Sequence, residues 1–94
     1  MNLLALPGGD LVTKGLDDLG RGIESVESLL VSAGAPRLRG LGFEVPELAL
    51  APDDFPEHRL YRLLCATDAN SAHSRYNALI RRLVSFERAA ECVR

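Results

Sequence analysis

The densest group of polar side chains in the sequence lies in residues 73–77, which read HSRYN. A polar break precedes this run, so it opens a predicted helix, where unpaired backbone N–H groups can bind an anion. His73, Arg75 and Asn77 are therefore candidate contacts for an anion or a small ligand. The simpler interpretation is that these residues cap and solvate the start of a helix, which is the common use of polar residues there.

A second candidate is the set of arginines in the same predicted helix, which are Arg75, Arg81, Arg82 and Arg88. They could contact an acidic protein or the phosphates of a nucleic acid. They could equally be solubilising charges whose aliphatic stems cover apolar edges. Nucleic-acid binding is the less favoured option, because no aromatic residues alternate with these arginines and the chain as a whole is acidic.

The residues for enzyme chemistry are few. The chain has two histidines, His58 and His73, and two cysteines, Cys65 and Cys92, at spacings that match no metal site or nucleophile motif. Neither a phosphate-binding glycine loop nor its strand–loop–helix context is present. We therefore expect no catalytic residue, no cofactor and no bound metal, and we expect Cys92 to be an exposed, ordinary thiol.

The charges are unevenly distributed, although the net charge is only −2. Residues 1–57 contain ten acidic and four basic residues, a balance of −6, whereas residues 58–94 contain three acidic and seven basic residues, a balance of +4. The two halves could attract each other within the fold, or the C-terminal half could meet an acidic partner.

The composition indicates a globular protein of the cytoplasm. Mean hydropathy is +0.03, no secretory signal is visible, and the longest apolar runs have four residues, so we expect no membrane association and reduced thiols. Ten of the eleven basic residues are arginine, which indicates GC-rich coding and favours a bacterial source.

The spacing of apolar residues predicts the elements that position these side chains. Four helices are expected, over residues 10–20, 24–33, 55–67 and 71–92. Asp10 is the predicted N-cap of the first helix, and Asp54 and Glu57 have the spacing of a capping box before the third.

Three shorter segments complete the prediction. Residues 36–41 form one helical turn closed by glycine, and residues 42–53 form a packed loop that contains prolines. Residues 1–9 form an N-terminal arm, a short strand or an extended tail, because Pro7 and the glycines that follow it interrupt any helix.

The predicted helix 71–92 has the clearest periodicity in the chain. Its apolar residues cover nearly half of the helix circumference, and Glu87 borders them, either paired with an arginine of another helix or as a buried polar site. We expect the three shorter helices to leave part of this face uncovered, and such a strip would bind a copy of the chain or another protein. The candidate interface residues are Tyr76, Leu79, Ile80, Leu83, Val84 and Phe86.

Together these observations predict one small all-α domain, a bundle of about four helices over residues 1–94. The favoured function is a non-catalytic interaction module, either a homodimer or the small subunit of a two-component complex. The alternatives are a nucleic-acid-associated regulator, including an antitoxin-like protein, and an anion or small-ligand binder at the start of the last helix.

Overall fold

A computed structural model describes residues 3–50 and 54–93 of the chain. Within these ranges the chain forms one short 3-10 helix and five α-helices, with no β-strand. The predicted all-α class is therefore confirmed. The 3-10 helix is Leu3–Ala5, and the α-helices are α1 Gly9–Gly20, α2 Val26–Ala33, α3 Ala35–Gly40, α4 Pro56–Thr67 and α5 Ala72–Cys92.

Every helix predicted from apolar periodicity is present, with each end within two residues of its predicted position. The largest difference is at α2, which begins at Val26 because Ser25 caps it. The Ser25 hydroxyl accepts a hydrogen bond from the Ser28 backbone N–H at 3.1 Å, and the Ser28 hydroxyl lies 2.7 Å from the Ser25 backbone nitrogen. This reciprocal pair is a capping box that the sequence analysis did not predict.

The predicted N-cap of the first helix is wrong. The N-cap of α1 is Gly8, which has a φ of 74° and lies against α5, where an added Cβ would be 2.5 Å from the carbonyl oxygen of Arg82. Only glycine adopts this conformation in that space. Asp10 lies instead in the exposed first turn of α1, and its carboxylate accepts a hydrogen bond of 2.7 Å from Arg82.

The predicted capping box before the third helix is also wrong. The N-cap of α4 is Phe55, and no side chain caps the helix there. Asp54 accepts hydrogen bonds from Arg59 at 2.9 Å and from Arg62 at 2.7 Å. Two guanidinium groups one turn apart outcompete the backbone N–H groups for this carboxylate, because charge-assisted hydrogen bonds are the stronger ones.

The N-terminal arm is neither a strand nor an extended tail in the residues that the structure describes. After the 3-10 helix, the Leu6 N–H donates to the Leu3 carbonyl at 3.1 Å, and the Gly9 N–H donates to the Leu6 carbonyl at 2.9 Å. These turns lead directly into α1. The first two residues of the predicted arm lie outside the described residues.

The predicted packed loop is present from residue 42 to residue 50, and its last three residues lie outside the described ranges. Val45 is buried, and the rings of Phe43 and Phe86 are 5.6 Å apart. Arg39 donates a hydrogen bond of 2.7 Å to the Val45 carbonyl. The loop therefore covers one end of the core beside α5.

The core is built around α2, which packs against α1, α3, α4 and α5. Leu29, Leu30 and Val31 of this helix are at most 1% exposed. Phe86 contributes the largest fully buried side chain from α5, and Leu60 and Leu64 contribute from α4. Buried and exposed residues of α5 alternate with helical spacing, so this helix packs with only part of its circumference against the rest of the chain.

No helix in the described part of the chain is both long enough and apolar enough to cross a membrane.

Candidate functional site

The six candidate interface residues of α5 separate into two groups. Leu83 and Phe86 are 5% and 0% exposed, so they belong mainly to the chain's own core. The other four, Tyr76, Leu79, Ile80 and Val84, are half-buried. The candidate interface is therefore narrower than predicted and follows the two edges of the apolar stripe.

One edge borders α1 and α2. Leu79 lines a groove of about 290 Å³ there, together with Leu11, Val26, Arg75 and Arg82. Leu11, Val26 and Leu79 all pack against the core. At the rim of this groove, Arg82 forms an ion pair with Asp10 of α1.

The opposite edge carries Tyr76, Ile80 and Val84, and we call these three residues the open edge of α5. The ring of Tyr76 meets that of Tyr61 from α4 edge-on, with centroids 5.7 Å apart. Tyr61 is itself 37% exposed. Val84 lies further along the helix and is not among the half-buried apolar residues that pack against the core.

A groove of about 340 Å³ runs beside the open edge, between the start of α3, the start of α4 and α5. Its apolar wall includes Pro36, Ile80 and Leu83, and its acidic residues are Glu57 and Glu87. We call it the acidic groove. It combines an aliphatic surface with two carboxylates, which suits a partner side chain that is both long and cationic.

Glu87 is the unusual residue of the acidic groove. Its side chain is only 6% exposed, and its nearest cation is the Arg37 Nε of α3, at 4.0 Å. Burial raises the pKa of the Glu87 carboxyl, and the Arg37 charge opposes that rise. Arg37 also donates a hydrogen bond of 3.0 Å to Glu91, so its charge is shared. Both sequence interpretations of Glu87 are confirmed, since it is buried and faces an arginine of another helix.

The predicted anion cluster is assembled differently from expectation. The amide of Asn77 lies 3.2 Å from Nε2 of His73, so these two side chains contact each other one turn apart. Ser71 is the N-cap of α5, but its hydroxyl donates to the Asp68 carboxylate at 2.9 Å and caps no helix N–H. Asp68 thus places a negative charge at the helix start, where it would oppose a bound anion.

The four candidate arginines are not equivalent. Arg82 forms an ion pair with Asp10 at 2.7 Å. Arg75, Arg81 and Arg88 are exposed and form no ion pair with any residue in the described ranges. Arg81 and Arg88 are seven residues apart and so lie on one side of α5, whereas Arg75 lies about 120° around the helix from Arg81. The unpaired positive charge is therefore concentrated next to the open edge.

The residues considered for catalysis are dispersed. His58 is exposed and its ring packs edge-on against Phe55, with centroids 5.5 Å apart. Cys65 and Cys92 are both free thiols; Cys92 is exposed, as predicted, and Cys65 is half-buried. Among residues 3–50 and 54–93, no three His, Cys, Asp or Glu side chains come together as a metal site.

An ion cluster that was not predicted from the sequence lies between the starts of α2 and α4. Arg59 lies 2.5 Å from the Glu24 carboxylate and 2.9 Å from that of Asp54, which Arg62 also contacts. The Arg59 hydrogen bond lowers the pKa of Asp54, and Arg62 adds to the effect. Every charge in the cluster has a partner, so the cluster joins two helices and offers little to a ligand. Its members are separated in sequence, so only the fold brings Glu24 to Arg59.

Comparison of the chain with models of protein families, with curated proteins and with solved structures found no match.

Proposed function

We propose that this chain is a non-catalytic protein-interaction module, which acts as a homodimer or as the small subunit of a two-component complex. The observation that supports the proposal best is the open edge of α5. The middle of the apolar stripe is buried in the core, whereas Tyr76, Ile80 and Val84 remain half exposed beside a groove. A partner that covers these apolar side chains removes their surface from water, and this favours binding.

The surroundings of the open edge also resemble those of protein interfaces in general. Aromatic and arginine side chains are enriched at the centre of protein interfaces, with a polar rim around them. Here the Tyr61–Tyr76 ring pair lies at one end, and the exposed Arg81 and Arg88 lie alongside. Charge and apolar surface are thus next to each other on one side of one helix.

The test is the solution mass of the chain by light scattering after size exclusion, at several protein concentrations and at low and high salt. We expect twice the chain mass of 10.2 kDa for the homodimer. Val84→Asp places a carboxylate at the C-terminal end of the open edge and should dissociate the dimer. The matched control is Ser85→Asp, which adds the same charge at the next position, where the helix is exposed.

For a two-component complex, the same variants are used in affinity capture from the source cell. A protein that binds the original chain and Ser85→Asp, but not Val84→Asp, would support the proposal. A mass of 10.2 kDa at all concentrations, with no captured protein that distinguishes the two variants, would contradict it.

The nucleic-acid alternative rests on Arg75, Arg81 and Arg88, which have no ion-pair partner in the described ranges. It predicts binding to a labelled DNA duplex, measured by fluorescence anisotropy, with an affinity that falls steeply as salt rises. An apolar interface would hold or strengthen under the same change. The chain's net charge of −2 favours the protein partner.

A further inference from the structure

The charges beside the open edge are complementary within one chain. The acidic groove holds Glu87, which is buried and has a single cation 4.0 Å away, and Glu57, which forms no ion pair or hydrogen bond with any residue in the described ranges. Arg81 lies on the same helix, exposed and without an ion pair to any described residue. Arg37 is the one cation lining the groove, and it also pairs with Glu91, so a second copy of the chain could supply a second cation for the two carboxylates.

The spacing of residues along α5 allows two copies of the chain to contact each other's acidic groove symmetrically. Arg81, Val84 and Glu87 are each three residues apart, so they form a diagonal row in which neighbours differ by about 60° around the helix and about 4.5 Å along it. Val84 is the midpoint of the row. Consider a two-fold axis that passes through Val84, lies in the plane of the interface and is perpendicular to the row. Such an axis places each end of the row in one chain against the opposite end of the row in its copy.

From this arrangement we infer that the chain forms a two-fold dimer with Val84 at the axis, in which the partner's Arg81 enters the acidic groove between Glu57 and Glu87. The inference rests on the proposed function and names its partner as a second copy. Rows of residues at spacing i, i+3 are inclined about 45° to the helix axis, so the two copies of α5 cross at about 90°. The Val84 side chains then meet at the centre, and two identical arginine contacts surround them.

The groove suits an arginine side chain in both of its parts. Ile80, Leu83 and Pro36 offer an aliphatic wall for the methylene stem, and the two carboxylates face the guanidinium. Glu87 accepts no hydrogen bond from a described residue at present, so a guanidinium in the groove would supply the first one. Burial raises the pKa of Glu87, and a second nearby cation would lower it again.

The first test compares Arg81→Glu with Arg75→Glu by light scattering and by sedimentation equilibrium at low salt. Both arginines are exposed on α5 and unpaired, and the two variants change the charge equally. Arg81→Glu would place a carboxylate against Glu57 and Glu87, so the dimer dissociation constant should rise at least tenfold. Arg75→Glu lies away from the open edge and should leave that constant unchanged.

The second test is a complementation by mixing. Glu57→Arg should also dissociate the dimer, because it faces the partner's Arg81. When Arg81→Glu and Glu57→Arg chains are mixed, both contacts pair opposite charges again, so the mixture should recover the dimer mass while each variant alone stays at 10.2 kDa. Circular dichroism of each variant checks that its helices are intact, and Glu57 is half-buried, which makes this change easier to accommodate than one at Glu87.

The outcomes separate this inference from the proposed function. If the original chain is a dimer that Val84→Asp dissociates, but Arg81→Glu behaves like Arg75→Glu, the interaction module stands and the arginine contact is refuted. If the original chain stays monomeric at every concentration, the second copy is refuted as the partner. The proposed function then depends on the capture experiment with Val84→Asp and Ser85→Asp.

Discussion

The carboxylate of Asp18 accepts a hydrogen bond of 2.6 Å from the hydroxyl of Ser25. Asp18 lies near the end of α1 and is 7% exposed, and Ser25 is the N-cap of α2. Lys14 also donates to Asp18, at 2.7 Å. One buried carboxylate thus connects the last turn of α1 to the capping box of the central helix.

Replacement of Ser25 by alanine should therefore affect more than the cap. It removes the acceptor for the Ser28 N–H and one of the two donors to Asp18, and we expect it to lower the free energy of unfolding by about 1–2 kcal/mol. Urea denaturation followed by circular dichroism measures the change. Ser85→Ala is the control, since Ser85 is exposed on α5 and should change stability little. An equal effect of the two variants would contradict the role assigned to Ser25.

The same substitution should change the response to acid. The hydrogen bonds from Lys14 and then from Ser25 lower the pKa of Asp18 below the ordinary value of an aspartate. A carboxyl with a lowered pKa stabilises the fold above its unfolded pKa, and that stability is lost as pH falls through the folded pKa. In Ser25→Ala the Asp18 pKa should rise, so unfolding by acid should begin at higher pH. A carboxyl carbon NMR titration of Asp18 in both proteins provides the measurement.

Two glycines of α1 should respond oppositely to alanine. At Gly15 an added methyl group would overlap a methyl of Val31 and lie 2.5 Å from the Glu27 carbonyl oxygen, so α1 and α2 would have to separate. We expect Gly15→Ala to cost about 1–3 kcal/mol. Gly20 has no atom within 4 Å of an added Cβ and no positive φ, so Gly20→Ala should be neutral or stabilise by about 0.4–1 kcal/mol. Thermal unfolding of the two variants compares their stabilities. A Gly15→Ala variant as stable as the original chain would refute this close approach of α1 and α2.

Glu87→Gln should stabilise the monomer at neutral pH. Burial raises the pKa of Glu87, and the Arg37 charge opposes the rise. A carboxyl with a raised pKa contributes full stability below its unfolded pKa and loses it as pH rises through the folded pKa. The gain from glutamine should therefore appear above the pKa of Glu87 in the folded chain and vanish below its pKa in the unfolded chain.

Urea denaturation at a protein concentration where the chain is monomeric measures this gain across pH. Glu91→Gln serves as the control, because Glu91 is exposed and its loss should not reproduce the pH dependence. If Glu87→Gln destabilised the monomer at neutral pH, the Arg37 contact would outweigh the cost of burial. Because Glu87 also lies in the acidic groove, the same variant should weaken the dimer while it stabilises the monomer.

The two thiols should differ in reactivity. Cys92 is exposed near the end of α5, whereas Cys65 is half-buried in α4 and packs against the core. With Ellman's reagent we expect one thiol to react promptly in the folded chain and the second to react at a rate limited by opening of the structure. Cys92→Ser should remove the fast phase and leave the slow one. A single phase for both thiols would contradict the packing of Cys65.

The helices could be predicted from the sequence because their signals are local. Apolar residues at helical spacing, prolines in first turns and glycines at ends act within a few residues, and the five helices begin and end within two residues of their predicted positions. The exposure of Cys92 and the position of Glu87 at the border of the stripe follow from the same periodicity. The side of a helix on which a residue lies depends only on its position in that helix and not on the neighbouring helices.

The predictions failed where a side chain had several possible hydrogen-bond partners. Asp10 and Asp54 both stand near helix starts, where an acidic residue can cap its own helix. In the folded chain Asp10 pairs with Arg82, 72 residues away, and Asp54 pairs with Arg59 and Arg62. A carboxylate bonds to the strongest donor within reach, and the tertiary fold decides which cations come within reach.

The apolar stripe of α5 shows most clearly which properties follow from the local sequence and which depend on the tertiary fold. Periodicity identified all six of its candidate interface residues, because the stripe is a property of one helix. Whether each of them is core or surface depends on how the rest of the chain packs on α5. Gly34, after α2, lies against Leu83, and the loop residue Phe43 lies against Phe86. Ile80 and Val84 are left half exposed. Hydrophobicity determines that a side chain will be buried by something, and only the arrangement of the other helices determines whether the chain itself can bury it.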